Sequence, residues 1–154
     1  MTHTVVLGAG ATAVSAVLAA KLGGARSITV LARRADASRS LGERFGCAHG
    51  TFEGTTKATG ATAVISTLPG SVGESIELPR GLDEVPLFDV AYHPWPSLLS
   101  TRWRNRGTHI ASGFEMLVFQ AVLQIRIFSS GTPDCELRDE SRVLAAMRRS
   151  GMEE

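Results

Sequence analysis

Short apolar runs alternate with helix-forming stretches along almost all of this 154-residue sequence. The runs predict strands at 5–7, 28–32, 47–52, 63–67, 87–91 and 108–111. The stretches between them predict helices at 11–22, 36–45, 98–106, 114–128 and 135–149, and a loop with one helical turn at 71–86. Because strands that alternate with helices pair in parallel through right-handed crossovers, we predict an α/β fold. It is a doubly wound parallel sheet of about six strands with helices on both faces.

The composition is that of an ordinary globular protein, with 44% hydrophobic and 20% charged residues. A net charge of +1 does not indicate nucleic acid or a membrane surface as a partner. Cys47 and Cys135 are too few for a disulfide framework or a metal site, and we expect no bound metal. Because no apolar run could span a bilayer and the N-terminus lacks the positive region of a signal peptide, we expect a cytoplasmic protein.

A glycine-rich turn joins the first predicted strand to the first predicted helix. Its residues are Gly8, Ala9, Gly10, Ala11, Thr12 and Ala13. Gly8 permits a tight turn, Gly10 lets a pyrophosphate approach the backbone, and Ala13 lets the helix pack closely on the sheet. The N–H groups at the helix N-terminus attract phosphates. The turn predicts a dinucleotide site in a Rossmann-type sheet, although glycines also make such turns without any ligand.

Two arginines at the end of the second predicted strand indicate which dinucleotide binds. Arg33 and Arg34 follow directly after Ala32, and no acidic residue precedes Asp36. An acidic residue at this place holds the ribose 2′-hydroxyl of NAD, whereas an arginine accommodates the 2′-phosphate of NADP. We therefore predict NADP as the cofactor. The alternative is that these arginines are only solvated, in a chain that contains many arginines.

Four segments resemble the C-terminal domain of the shikimate dehydrogenase family. They are the glycine turn, residues 32–34, residues 88–99 and residues 112–121. Residues 32–34 resemble the family's Asn-Arg-Thr, and residues 88–99 resemble its Asp-x-x-Tyr-x-Pro-x-x-Thr-x-Leu stretch, with Ser97 in the Thr position. Residues 112–121 resemble its Gly-x-x-Met-Leu-x-x-Gln-Ala signature. The chain departs from the family at Ala11, which replaces a second glycine, and at Ala32 and Arg34, which replace Asn and Thr.

The resemblance implies further site residues. One loop would lie along the cofactor, and its residues are Thr67, Leu68 and Pro69. Tyr92 would lie beside the nicotinamide and the substrate, and Gln120 would contact a substrate hydroxyl. The backbone of Gly113 and the side chain of Met116 would approach the nicotinamide. Without a ligand, Tyr92 would be a rim residue, Met116 a core residue, and Gln120 a partner of neighbouring backbone.

The family transfers a hydride reversibly between NADP(H) and shikimate or 3-dehydroshikimate. Its catalytic Lys and Asp belong to an N-terminal substrate domain, so the resemblance implies no catalytic residue in this chain. Lys21, late in the first helix, and Lys57, in a polar loop, are poor substitutes, and His93 stands where the family tolerates Asn. We expect a dinucleotide-binding domain at 1–130, followed by a linker and helix at 131–154.

Three hypotheses for the function follow. In the first, the chain is part of a dehydrogenase that binds NADP but is inactive alone. It would bind a shikimate-like substrate only together with a substrate domain. Alternatively, it is a stand-alone dinucleotide-binding sensor or interaction module, or an enzyme of another substrate class completed by a separate chain. The last predicted helix has apolar side chains that could join two domains or pair two copies in a homodimer. They are Leu137, Val143, Leu144 and Met147, and we expect an exposed apolar face there or in the cleft.

Overall fold

A computed structural model describes residues 2–53, 58–72 and 76–151 and confirms the predicted α/β fold. The strands are β1 (His3–Leu7), β2 (Ser27–Ala32), β3 (Ala48–Thr51), β4 (Ala63–Ser66), β5 (Leu87–Asp89) and β6 (Ile110–Ser112). The helices are α1 (Ala11–Leu22), α2 (Ala35–Phe45), α3 (Leu98–Asn105), α4 (Gly113–Ser130) and α5 (Glu140–Ser150). A 3-10 turn, Leu82–Glu84, supplies the helical turn predicted within 71–86. Lys57 lies outside the described residues.

The six strands form one parallel sheet in the order β3-β2-β1-β4-β5-β6. The chain begins in the middle of the sheet, winds outward to β3, and then continues on the other side of β1. Val6 of β1 pairs with Val30 of β2 on one side and with Ile65 of β4 on the other. In doubly wound sheets, ligands bind beyond the carboxyl ends of the strands, where the strand order reverses. Here that place lies between β1 and β4.

Helices cover the sheet on both faces, so the central strands are apolar without alternation. Successive residues of a strand point to opposite faces. Val6 packs with Ala13 and Val17 of α1, whereas Val5 belongs to the cluster that contains Leu99 and Trp103 of α3. Val5, Val6, Val17 and Trp103 are completely buried. Burial of each of these three valine side chains stabilises the fold by about 1.5–3 kcal/mol.

The chain divides into two compact units, Met1–Ala111 and Ser112–Glu154. The first contains β1 to β5, most of β6, and α1 to α3. The second contains α4 and α5. None of the helices in the described ranges is long and apolar enough to cross a membrane.

In the second unit, two arginine–carboxylate pairs join α4 to α5. Arg126 donates two hydrogen bonds to the Glu140 carboxylate, and Arg148 pairs with Glu115 at 2.7 Å. The predicted start of the last helix is wrong by five residues, since α5 begins at Glu140 and not at 135. Asp139, just before it, has a left-handed backbone with φ of 57°. The Glu140 carboxylate also accepts a hydrogen bond from the Leu137 N–H, which fixes the turn before the helix.

The large apolar side chains that are exposed among residues 112–151 lie on α4. They are Phe119, Leu123, Ile125, Ile127 and Phe128, of which Phe128 is 86% exposed. The apolar residues named for the last helix are half-buried instead: Leu137, Val143, Leu144 and Met147. Exposed apolar side chains are therefore present on α4, whereas the prediction placed an exposed apolar face on the last helix or in the cleft.

Candidate dinucleotide-binding site

The loops that follow β1 to β4 surround a pocket of about 480 Å³ in the first unit. The pocket lies at the carboxyl edge of the sheet, where the strand order reverses. Its lining residues are Gly8, Ala9, Gly10, Ala32, Arg33, Arg34, Ala37, Phe52, Glu53, Leu68, Pro69, Val72, Ile76 and Glu77. The structure thus brings together the glycine turn, the two arginines and the Leu68–Pro69 loop, which lie far apart in the sequence.

Gly8 is required by the fold itself. Its φ of 109° lies in the left-handed region, and a Cβ at this position would collide with Thr67 Oγ1. The Thr67 hydroxyl donates to the Leu7 carbonyl at 2.8 Å, and the Gly8 N–H donates to the Leu31 carbonyl at 2.8 Å. Gly8 and Thr67 therefore hold the ends of β1, β2 and β4 together. Thr67 itself is half-buried and is not among the residues that line the pocket.

Gly10 has a different environment, because nothing in the fold requires a glycine there. Its backbone is extended, with φ of −87° and ψ of −171°, and an added Cβ would meet no heavy atom within 4 Å. Any residue could adopt this conformation. A side chain at position 10 would instead occupy open space at the pocket, where a ligand approaching the backbone would need room. Gly10 is therefore the stronger indication of a ligand.

The N-terminus of α1 opens onto this space without a side-chain cap. Gly10 is the N-cap residue, and no side chain accepts from the first N–H groups of the helix. Ala11 and Thr12 are exposed in the first turn. Ala13 is completely buried, in the cluster that contains Val6 and Val30, so α1 packs directly on the sheet. Uncapped N–H groups with the positive end of the helix dipole form a site for an anion.

Both arginines after β2 are exposed at the pocket. Neither guanidinium makes a hydrogen bond or an ion pair with any residue in the described ranges. Arg34 is the N-cap of α2, again without a side-chain cap, and Asp36 lies in the first turn of that helix. The carboxyl end of β2 thus presents two unpaired cations beside a second uncapped helix N-terminus, an arrangement suited to a phosphate monoester.

The loop after β5 contains Tyr92 and a buried carboxyl group. Asp89 is 1% exposed and accepts hydrogen bonds from the Ser97 hydroxyl at 2.5 Å and the Ala91 N–H at 3.2 Å. Burial raises the pKa of Asp89, and these hydrogen bonds partly oppose the rise. Ser97 Oγ also accepts from the Ser100 N–H and so caps α3. Tyr92 is 56% exposed and does not line the pocket.

The remaining predicted residues belong to the second unit. Gly113 is buried at the first position of α4, Met116 is half-buried, and Gln120 is exposed. Their spacings of three and four residues place them on one face of α4. Glu115, between them in sequence, is the partner of Arg148.

Comparison with solved structures relates this arrangement to known enzymes. Mycobacterium tuberculosis shikimate dehydrogenase is 30% identical, with a TM-score of 0.74 over 97% of this chain and 56% of that one. Thermus thermophilus shikimate 5-dehydrogenase in complex with NADP(H) and shikimate is 25% identical, with a TM-score of 0.72 over 96% and 54%. The predicted resemblance to shikimate dehydrogenases is confirmed.

The same fold occurs in a Corynebacterium glutamicum quinate dehydrogenase in complex with NAD, at 20% identity and a TM-score of 0.72. No protein-family model and no curated protein matches this sequence significantly. The chain spans a little over half the length of the shikimate dehydrogenases that it matches.

The resemblance to shikimate dehydrogenases did not identify every residue of the pocket. The residues that sequence reasoning missed are Ala37, Phe52, Glu53, Val72, Ile76 and Glu77. Phe52 and Glu53 follow β3 directly, so their place at the carboxyl edge of a parallel sheet was a signal that could have identified them. Val72, Ile76 and Glu77 lie in an irregular stretch without any periodic pattern, and only the folded chain places them there.

Proposed function

We propose that this chain is the NADP-binding part of a shikimate dehydrogenase-like oxidoreductase and that it does not catalyse hydride transfer alone. One observation carries the proposal: a single pocket combines an uncapped helix N-terminus, a glycine with no role in the fold, and two unpaired arginines. A helix N-terminus suits a pyrophosphate, and two guanidinium groups suit the additional 2′-phosphate that distinguishes NADP from NAD. The likeness to a shikimate dehydrogenase in complex with NADP(H) supports the same cofactor.

Different residues of the pocket would bind different parts of the dinucleotide. The α1 N-terminus and the Gly8–Gly10 backbone would bind the pyrophosphate, and Arg33 and Arg34 would bind the phosphate on the adenosine ribose. The loop of Thr67, Leu68 and Pro69 would lie along the cofactor, with Thr67 fixing its start through Leu7. When bound, NADP supplies the hydride-accepting nicotinamide. By resemblance, Gly113 and Met116 would approach the nicotinamide, and Tyr92 and Gln120 would contact the substrate.

The proposed inactivity rests on the positions of the candidate proton-transfer groups. The Lys21 ammonium donates to the Phe45 carbonyl, and Lys21 lies at the opposite end of α1 from the glycine turn, about 15 Å away at 1.5 Å per residue. His93 is exposed in the loop after β5 and does not line the pocket. The loss of a positioned acid–base group costs about 10²- to 10⁴-fold in rate. We propose that a substrate domain supplies that group.

The test is calorimetric titration of the purified chain with NADP⁺ and then NAD⁺ at fixed salt. We expect preferential binding of NADP⁺, and no binding by Gly10→Val, because the valine side chain fills the space that the pyrophosphate needs. The φ and ψ of Gly10 suit valine, so the variant should keep the native circular dichroism spectrum, with a small fall in melting temperature because valine is a poorer N-cap residue than glycine. Ala19→Val, on the exposed side of α1, is the matched control. Failure of the native chain to bind either dinucleotide would contradict the proposal.

A further inference from the structure

Two carboxylates, Glu53 and Glu77, line the same pocket as the two arginines. Both are exposed, and neither side chain has a hydrogen bond or ion pair with another residue of the described chain. A free carboxylate repels the phosphates that the rest of the pocket suits. Carboxylate oxygens only accept hydrogen bonds, so a ligand group beside them should be a donor.

Glu53 follows the outermost strand beside the strand that leads to the arginines. Ala32 of β2 pairs with Thr51 of β3, so Arg34 and Glu53 each stand two residues past that pair. In the sheet, β2 separates β3 from β1, the strand that leads to the glycine turn. Thr51 Oγ1 donates to the Glu53 carbonyl at 3.2 Å and holds its backbone at the end of the strand.

The pocket also has an apolar part. Phe52 is 8% exposed, Leu68 and Ile76 pack against the core cluster that contains Phe52, and Val72 is a further apolar lining residue. An apolar slot with one or two polar groups suits a flat heterocycle, whose faces pack on side chains while its edge is recognised by hydrogen bonds. With the pyrophosphate at β1 and the ribose phosphate at β2, the part of NADP that reaches β3 is the adenine.

We propose that Glu53 accepts a hydrogen bond from the 6-amino group of adenine and makes the pocket selective against 6-oxopurine dinucleotides. The inference rests on the proposed function, because it assumes that a dinucleotide occupies the pocket. Adenine presents a donor at position 6, whereas hypoxanthine presents a carbonyl acceptor that a carboxylate repels. We assign this role to Glu53 rather than to Glu77, because Glu53 closely follows the end of β3 and its carbonyl accepts a hydrogen bond from Thr51 that holds its backbone in place.

The experiment compares the affinity of the chain for NADP⁺ and for nicotinamide hypoxanthine dinucleotide phosphate by calorimetry. We expect the native chain to prefer NADP⁺ by about tenfold, the lower end of the range for a hydrogen bond to a charged group. The preference should disappear in Glu53→Gln, because the amide can turn to donate to the 6-carbonyl. Glu77→Gln should keep the preference, and so should Glu43→Gln, a control on the exposed side of α2.

Three other outcomes would contradict the inference, the assignment to Glu53 or the proposed function. Equal affinity of the native chain for the two dinucleotides overturns the inference and leaves the proposed function intact. A preference that survives in Glu53→Gln but is lost in Glu77→Gln overturns the assignment to Glu53. No binding of either dinucleotide overturns the proposed function, and the inference with it.

Discussion

At the scale of single residues, the two arginines after β2 lie at the pocket without a hydrogen-bond or ion-pair partner in the described part of the chain. Asp83, by contrast, holds both Arg102 and Arg106, at 3.2 and 3.3 Å, and these pairs hold its pKa below the ordinary value despite burial. An unpaired arginine at a pocket is free to bind a ligand phosphate. We therefore expect Arg33→Ala to weaken NADP⁺ binding by about 1.5–3 kcal/mol and NAD⁺ binding much less.

The measurement for Arg33→Ala is a pair of titrations, one with each dinucleotide, at the same ionic strength. Arg26→Ala is the matched control, because Arg26 is exposed and lies at the amino end of β2, away from the pocket. If both dinucleotides lose the same affinity in Arg33→Ala, the arginine does not recognise the 2′-phosphate.

At the scale of elements, the Asp89 carboxyl joins the end of β5 to the start of α3 through Ser97. Burial raises its pKa above the ordinary value of 3.8. Folding then favours the protonated carboxyl, so its contribution to the free energy of unfolding is fully present below pH 3.8 and is lost as the pH rises through the raised pKa. As the pH rises from 3.8 through the raised pKa of Asp89, we expect the native chain to lose stability relative to Asp89→Asn.

Urea unfolding of both proteins at a series of pH values measures this difference. The comparison isolates Asp89, because all other carboxyl groups are common to the two proteins. In Ser97→Ala the hydroxyl that stabilises the carboxylate is missing, so the loss of stability should continue to higher pH than in the native chain. A stability difference between the native chain and Asp89→Asn that stays constant with pH would refute the role of burial.

At the scale of the whole molecule, the chain spans little more than half the length of the shikimate dehydrogenases that it resembles. We expect purified chain to form no NADPH from NADP⁺ and shikimate. Fusion to the part of the Mycobacterium tuberculosis enzyme that this chain does not cover should restore turnover, because that part would supply the acid–base groups and the substrate site. The assay is absorbance of NADPH, with Gly10→Val in the fusion as the control for cofactor binding. Turnover by the chain alone, if abolished in His93→Gln, would contradict the proposal.

Much of the fold could be predicted because its signals are local. The apolar run of β1, the helix formers of α1 and the glycines between them are contiguous, and each follows from short-range backbone preferences and periodicity. The start of α5 could not be predicted in this way. It depends on the left-handed conformation of Asp139 and on Glu140, whose carboxylate is held by Arg126 of α4. Such a contact between helices leaves no periodic pattern in the sequence.

The sequence by itself therefore determined the alternation of strands and helices, the parallel sheet and the glycine turn, since backbone sterics and burial patterns act over a few residues. Only the tertiary structure decided which side chains meet at the pocket. Phe52, Glu53 and Ile76 line the same pocket as the glycine turn because β3 and β4 flank the β1–β2 pair, and that arrangement depends on strand order. The structure also separated two glycines that look alike in the sequence. Gly8 is needed by the Thr67 packing, whereas Gly10 faces open space.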